Sequence, residues 1–216
     1  MRFREIITEG ASVNLLIVDV QPEYNNWCSN ILPGVQQLIE KCKARVVVVY
    51  NDFGGGDEMF DVQNYLGGVS EEDMYGNYND ETDEYDEPEQ TVLQQKLQQA
   101  TYYQKEFGFL RPFMDQAISD AVIIEVLREM YQRKVTDSRS MELDSMSKRV
   151  QHEIDRAGIG WDDEGIYLQD WLPITMLKQL SPFYMVGGGR NECLREIELI
   201  CNAFNIRYTR INSLIY

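Results

Sequence analysis

The chain has 216 residues, enough for one sizeable α/β domain or two small ones. Its 44% of hydrophobic residues can fill a core. Its formal net charge of −16 argues against nucleic-acid binding, which needs basic residues to displace counterions from the phosphates. No apolar run reaches the length of a membrane span. We therefore expect a folded protein that binds neither nucleic acid nor membrane.

The acidic excess is local, because fourteen acidic residues and no Lys or Arg lie between Val46 and Gln95. The four cysteines have no CxxC spacing, and Cys193 and Cys201 are about 12 Å apart along one predicted helix, too far for a disulfide. The only histidine, His152, lies in a predicted helical insertion. We expect free thiols, a reducing and therefore cytoplasmic compartment, and neither a metal site nor a cofactor.

The first part of the chain predicts a strand–helix–strand unit. Residues 14–20 and 44–50 are continuous apolar runs, typical of strands buried on both faces of a parallel sheet, and residues 31–43 between them have helical spacing. Residues 54–90 are rich in Gly, Asp, Glu and Asn and predict an acidic mobile insertion. Their carboxylates lack the register of a calcium loop, which favours a solvated acidic loop.

The second part adds further helices and strands to the same domain, which spans residues 1–216. A helix is predicted over 91–99 and a strand over 101–104, and most of a helical insertion over 117–170 consists of helices predicted at 112–134 and 136–158. The remaining elements alternate: a helix from Pro173, a strand over 182–186, a helix over 191–204 and a strand over 207–211.

Three chemically active side chains follow predicted strands, at the edge where open parallel sheets bind ligands: Asp19, Lys105 and Cys193. Asn191 is the predicted helix cap, which puts Cys193 in the first turn, where the helix dipole favours a thiolate. The glycines at 187–189 allow backbone amides to approach a substrate oxygen. The alternatives are a cysteine packed in the core, a solvated surface lysine, and a glycine turn that binds phosphate.

Two segments carry a family resemblance. LLIVDVQPEY (residues 15–24) and MVGGGRNECLREIELICNAFNIRYTRI (residues 185–211) resemble the opening strand and the nucleophile region of the isochorismatase-like cysteine hydrolases. The resemblance implies a three-layer Rossmann-like parallel α/β fold in which Asp19 is the general base and Cys193 the nucleophile. Lys105 is the candidate for the family's lysine. The metal-binding histidines of the nicotinamidases in that family are absent here.

The expected oxyanion and substrate-binding residues are Gly188, Gly189, Arg190 and Gln21. By position, the resemblance implies a non-proline cis peptide bond between Gly188 and Gly189, which helps to shape the oxyanion hole. Gln21 matches the family's Asp-x-Gln pattern, and Arg190 either anchors a substrate carboxylate or holds an acid of the insertion. The expected substrate is a small amide-like molecule, and assembly into a homo-oligomer is a further expectation.

An alternative function comes from the N-terminus. MRFREIITEG resembles the leader peptides of proteins packaged into the heads of large tailed phages, which a prohead protease cleaves after Glu, here Glu9. Residues 1–9 are then a leader, and the structural alternative is an ordinary helical turn. The alternative function is a catalytically inert hydrolase-like scaffold, a phage virion or host-interaction protein whose acidic insertion binds a protein partner.

Overall fold

The structure is a computed structural model that describes residues 13–51, 58–69, 78–79, 84–85, 90–105, 114, 118–132, 140–141, 147–149, 151–152, 166–167 and 174–216. The predicted leader at 1–9 lies outside these residues. So do most of the acidic segment after Val69 and all but one residue of the predicted helix start at 112–117.

The described elements alternate between strands and helices along much of the chain. The strands are β1 (Asn14–Val18), β2 (Val46–Asn51), β3 (Tyr78–Asn79), β4 (Glu84–Tyr85), β5 (Thr101–Lys105), β6 (Ser140–Met141), β7 (Ile166–Tyr167), β8 (Phe183–Gly187) and β9 (Tyr208–Ile215). The α-helices are α1 (Asn25–Cys28), α2 (Leu32–Lys41), α3 (Glu58–Gly67), α4 (Val92–Gln98), α5 (Asp120–Gln132), α6 (Ile174–Leu180) and α7 (Cys193–Phe204), and a single 3₁₀ turn covers Pro22–Tyr24.

The chain divides into two compact units. The first comprises Met1–Gln104, Phe183–Gly188 and Thr209–Tyr216, and the second comprises Lys105–Pro182 and Gly189–Tyr208. Asp19 and Gln21 therefore belong to the first unit, whereas Lys105 and Cys193 belong to the second.

The first unit is built on a five-stranded parallel sheet with the strand order β5-β2-β1-β8-β9. β1 is central, and its last residue, Val18, lies opposite Val49 of β2 and Gly187 of β8. β1 is apolar throughout except at Asn14 because its side chains are buried on both faces of the sheet. The predicted α/β class with a parallel sheet is confirmed.

One face of this sheet carries the core of the first unit. Leu15 and Ile17 of β1 and Val46 and Val48 of β2 join a single apolar cluster with residues of four helices. The helical members come from α1, α2, α3 and α4: Cys28, Val35, Leu38, Ile39, Val62, Leu66, Leu93 and Leu97. The alternate residues Leu16, Val18, Val47 and Val49 point to the opposite face and are also fully buried. Hydrophobic burial on both faces therefore stabilises the central strands.

The prediction of a mobile loop over residues 54–90 is wrong for its first third, where α3 forms. Val62 and Leu66 are one helical turn apart and are buried in the core cluster. The high content of Gly and acidic residues around α3 obscured this two-residue stripe. Tertiary burial of Val62 and Leu66 stabilises a helix that composition alone does not predict.

The second unit contains the helices α5, α6 and α7, with α5 and α6 each packed on α7. Arg195 of α7 pairs with Asp120 of α5 at 2.6 Å, and Arg128 Nε of α5 donates to the carbonyl oxygen of Ala203 at 2.8 Å. The helices predicted at 112–134 and 191–204 are thus confirmed over Asp120–Gln132 and Cys193–Phe204.

The helix predicted over 136–158 is wrong at Ser140–Met141, which forms an antiparallel pair with Ile166–Tyr167. A periodicity read along one segment cannot detect a partner strand far along the chain, and the backbone hydrogen bonds of such a pair override local helix propensity. Within the described ranges, every helix is too short or too polar to cross a lipid bilayer.

Candidate functional site

Asp19 follows β1 directly and is held in a backbone conformation that few residues other than glycine adopt. Its φ is 54°, in the left-handed region, and the residue is 1% exposed. Its amide donates to the carbonyl oxygen of Val49 at 2.8 Å, and its own carbonyl accepts the hydroxyl of Tyr216 at 2.7 Å. Such a conformation costs energy and persists where surrounding contacts impose it, which is common at functional sites. Asp19 is therefore a buried acid on a fixed backbone.

The side chain of Gln21 extends the pairing of β1 with β2 after the backbone of β1 has turned away. Gln21 Oε1 accepts the amide of Asn51 at 2.9 Å, and Gln21 Nε2 donates to the carbonyl oxygen of Asn51 at 3.3 Å and to Glu23 Oε2 at 2.9 Å. The side-chain amide thus replaces a backbone peptide in satisfying the last residue of β2. These protein groups engage both ends of the Gln21 side-chain amide, and the expected role of Gln21 in substrate binding stays a prediction.

The polar network continues from Asn51 toward the helices of the first unit. Asn51 Nδ2 donates to the hydroxyl of Tyr24 at 2.5 Å, and Cys28 Sγ lies 3.2 Å from the hydroxyl of Tyr65. The Tyr65 hydroxyl also donates to Asn25 Oδ1 at 2.8 Å. Hydrogen bonds of this kind fix the segment that follows β1 against β2 and α3, and thereby fix the position of Asp19.

β8 ends at Gly187, and Gly188 follows it beside the end of β1. A Cβ atom on Gly187, whose φ is 115°, would overlap the carbonyl oxygen of Val18, and one on Gly188 would overlap the ring of Tyr216. The amide of Gly188 donates to the carbonyl oxygen of Val18 at 2.8 Å. This amide continues the β1–β8 pairing, and the expected part of Gly188 in oxyanion or substrate binding stays a prediction.

Gly189 belongs to the second unit and forms the turn that leads into α7. Its φ is 65°, and its carbonyl oxygen accepts the amides of Glu192 at 2.8 Å and Leu194 at 3.0 Å. A Cβ atom here would lie 2.9 Å from the backbone nitrogen of Cys193 and 3.4 Å from its sulfur. Only glycine allows the chain to approach the thiol this closely.

Cys193 is the first residue of the twelve-residue helix α7. The prediction that it lies in the first helical turn is confirmed, but the cap is Glu192 and not Asn191, and the Glu192 side chain makes no capping hydrogen bond. The peptide bond between Gly188 and Gly189 is trans, since the cis bond in the described residues is Ser181–Pro182. The expected non-proline cis bond is therefore wrong.

All four cysteines are free thiols, and exposure to solvent distinguishes Cys193 from the other three. Cys193 is partly exposed, whereas Cys28, Cys42 and Cys201 are buried. Burial raises the pKa of Cys28 and of Cys42, and burial together with the charge of Glu198 raises the pKa of Cys201 to about 12. Of the four, Cys193 is the thiol that an aqueous reagent can reach.

Lys105 ends β5 and is 2% exposed, which excludes the solvated surface lysine that the sequence left open. Arg190 is exposed. Since Asp19 belongs to one unit and Lys105 and Cys193 to the other, the meeting of these three side chains stays a prediction.

Glu196 is a candidate that the sequence analysis missed. It is fully buried in the first turns of α7, three residues after Cys193. Its spacing in the sequence could have indicated its position, because Cys193, Glu196, Ile197 and Ile200 share one face of the helix. A charged residue within an otherwise apolar stripe of a buried helix indicates a specific partner.

Among the residues that the structure describes, no group of three or more His, Cys, Asp or Glu side chains could hold a metal ion. Comparisons with protein-family models, with curated proteins and with solved structures found no match to this chain.

Proposed function

We propose that the protein is a cysteine hydrolase of the isochorismatase-like kind, with that family's three-layer arrangement, acting on a small amide-like substrate. Cys193 is the nucleophile, Asp19 the general base and Lys105 the cation that stabilises the thiolate. The oxyanion donors are the backbone amides of Gly189 and Cys193, since the Gly188 amide is engaged by Val18. The proposed setting is a reducing one, the cytoplasm of a cell or of a phage-infected host, which keeps the nucleophile a free thiol.

The burial of Lys105 is the observation that carries this proposal. A lysine 2% exposed at the end of a strand is costly unless a charge or a reaction uses it, because an ammonium group loses its hydration there. The same compact unit contains the one partly exposed cysteine at a helix start. The inert-scaffold alternative predicts the reverse pattern, with the cysteine packed in the core and the lysine in solvent.

The proposed reaction follows from the groups present. Asp19 takes the proton from Cys193, whose Sγ forms a bond to the carbonyl carbon of the substrate. The amide C–N bond then breaks, and the leaving nitrogen receives that proton from Asp19. Water, deprotonated by Asp19, attacks the thioester, releases the carboxylic acid and restores the thiol.

Reaction with p-nitrophenyl acetate tests the proposal without knowledge of the natural substrate. We expect a burst of about one equivalent of p-nitrophenolate and an acetyl group on Cys193, located by peptide mass spectrometry. C193A removes the burst, whereas C201A, a matched control at a buried thiol, retains it. D19N and K105M slow the burst, while K41M, which removes an exposed lysine, leaves it unchanged.

Two results would contradict the proposal. One is a wild-type burst that persists in C193A, because the acyl group then forms elsewhere. The other is a burst whose rate is the same in K105M as in K41M, because Lys105 then has no part in activating the thiol.

A further inference from the structure

We propose that Tyr216 is a positioning residue for Asp19, whose backbone its hydroxyl holds in the left-handed conformation that directs the carboxylate. Both residues belong to the first unit, and the hydroxyl donates to the carbonyl oxygen of Asp19 at 2.7 Å. The catalytic meaning of this bond rests on the proposed function, whereas its effect on the Asp19 backbone is tested independently below.

The conformation of Asp19 is one that the residue does not favour by itself. Its φ of 54° lies in the left-handed region, where the Cβ atom of an L-amino acid crowds the following carbonyl oxygen. A return to the right-handed region would turn the Cβ atom, and with it the carboxylate, in another direction. The contacts around Asp19 therefore determine where its carboxylate points.

Two rigid peptide planes meet at the Cα atom of Asp19, and their rotations are its φ and ψ. The plane before Asp19 is held on both sides of β1: the Asp19 amide donates to the carbonyl oxygen of Val49 at 2.8 Å, and the carbonyl oxygen of Val18 accepts the amide of Gly188 at 2.8 Å. The plane after Asp19 contains its own carbonyl oxygen, which accepts the hydroxyl of Tyr216. The tyrosine thus gives the second plane the kind of constraint that the sheet gives the first.

Tyr216 is itself fixed at the end of the sheet. Its amide donates to the carbonyl oxygen of Gly187 at 3.2 Å, and its ring lies so close to Gly188 that a Cβ atom there would overlap it. The ring of Tyr24 packs beside it, with the two ring centres 6.5 Å apart. A hydroxyl carried on a ring that is held in this way is a preorganised donor.

The proposed reaction gives this constraint its chemical consequence. Asp19 takes a proton first from Cys193 and later from water, and each transfer requires the carboxylate within hydrogen-bond reach of that proton. A misplacement of about 1 Å can cost about 10²-fold in rate. Tyr216 acts through Asp19, and we expect loss of its hydroxyl to slow acylation of the thiol about tenfold.

The burst rate with p-nitrophenyl acetate measures this effect in Y216F. The substitution removes the hydroxyl and keeps the ring that packs on Gly188. Y102F is the matched control, because Tyr102 belongs to the same unit and its hydroxyl also donates to a backbone carbonyl oxygen, that of Leu97, at 3.0 Å. We expect Y102F to leave the burst rate unchanged.

The double variant D19N/Y216F separates positioning of Asp19 from a general loosening of the unit. Asn has the shape of Asp and tolerates the left-handed region, but it does not serve as the base. We expect Y216F to slow the burst about tenfold when Asp19 is present and less than about twofold in the D19N background. A general loosening would slow the burst by the same factor in both backgrounds.

Hydrogen exchange of the Asp19 amide, followed by NMR under native conditions, tests the positioning without reference to activity. Loss of the hydroxyl releases the second peptide plane, so we expect this amide to exchange about fivefold faster in Y216F. The amide of Leu15, at the other end of β1, donates to the carbonyl oxygen of Arg45 at 2.9 Å and is the internal control. Its exchange rate should not change.

The two proposals fail on different results. The positioning role of Tyr216 is overturned by equal factors in the two backgrounds, by an equal slowing in Y102F, or by an Asp19 exchange rate that rises no more than that of Leu15. Faster exchange at Asp19 alone, in a protein whose wild type shows no burst, supports the hold on the backbone and overturns the hydrolase.

Discussion

The side-chain amide of Gln21 replaces a backbone peptide at the end of β2, and Q21M tests this role. Methionine has nearly the same length but neither accepts the amide of Asn51 nor donates to its carbonyl oxygen. Asn51 is buried, so water cannot replace these bonds. An unsatisfied buried donor costs about 1–3 kcal/mol, and the longer bond to the carbonyl oxygen adds a smaller loss. We expect Q21M to lower the free energy of unfolding by about 2–4 kcal/mol.

Urea unfolding followed by far-UV circular dichroism measures this loss, and Q36M is the matched control. Gln36 Nε2 donates to the carbonyl oxygen of Leu66 at 3.0 Å from a partly exposed position, where water can replace the lost bond. We expect Q36M to cost about 0.5–1.5 kcal/mol. If Q21M costs no more than Q36M at an equal denaturant slope, the strand-extending role of Gln21 is refuted.

Three further predictions concern other contacts. G188A displaces the ring of Tyr216 and should lower the free energy of unfolding by about 1–3 kcal/mol. In a Y216A background the loss caused by G188A should be smaller. An equal loss in the wild-type and Y216A backgrounds contradicts the contact. T91A removes the capping box that Thr91 forms with Gln94 and should cost about 1 kcal/mol by urea unfolding, whereas a change below about 0.3 kcal/mol excludes the cap. Burial raises the pKa of the Cys201 thiol to about 12, so the free energy of unfolding should fall as the pH rises from about 9 to 12. C201A should lose this part of the pH dependence of stability. The same pH dependence in C201A and in the wild type would contradict the prediction.

The central strands of the sheet could be predicted because strands that are buried on both faces consist mainly of apolar residues. β1, β2 and β8 are buried along most of their length, and each is therefore a nearly continuous run of apolar residues. The connecting helix α2 has apolar residues at helical spacing because one face lies against the sheet. Hydrophobic patterning determines such elements locally, and the bounds in the structure differ from the predicted bounds by only a few residues.

The helix α3 and the pair β6–β7 could not be predicted, because their stability depends on partners elsewhere. Val62 and Leu66 are too few to be distinguished from scattered apolar residues in an acidic segment. The strands β6 and β7 have two residues each, and only their pairing defines them.

Some features of the candidate site could likewise be predicted from the sequence, and others could not. The strand-end positions of Asp19 and Lys105 and the helix-start position of Cys193 follow from local pattern, so the sequence alone proposes them. The structural roles of Gln21 and Gly188 could not be predicted, because a side-chain amide and a backbone amide are assigned by the partners that accept and donate hydrogen bonds across the sheet.

The sequence by itself determined the α/β class, the buried strands and the three residues proposed for the reaction, because each depends on the order of polar and apolar residues within a short segment. Only the tertiary structure decided that Lys105 is buried, that Glu196 lies inside an apolar face, and that Cys193 is the accessible thiol. Burial is a property of residues far apart in the chain that exclude water together, and a single segment does not encode it.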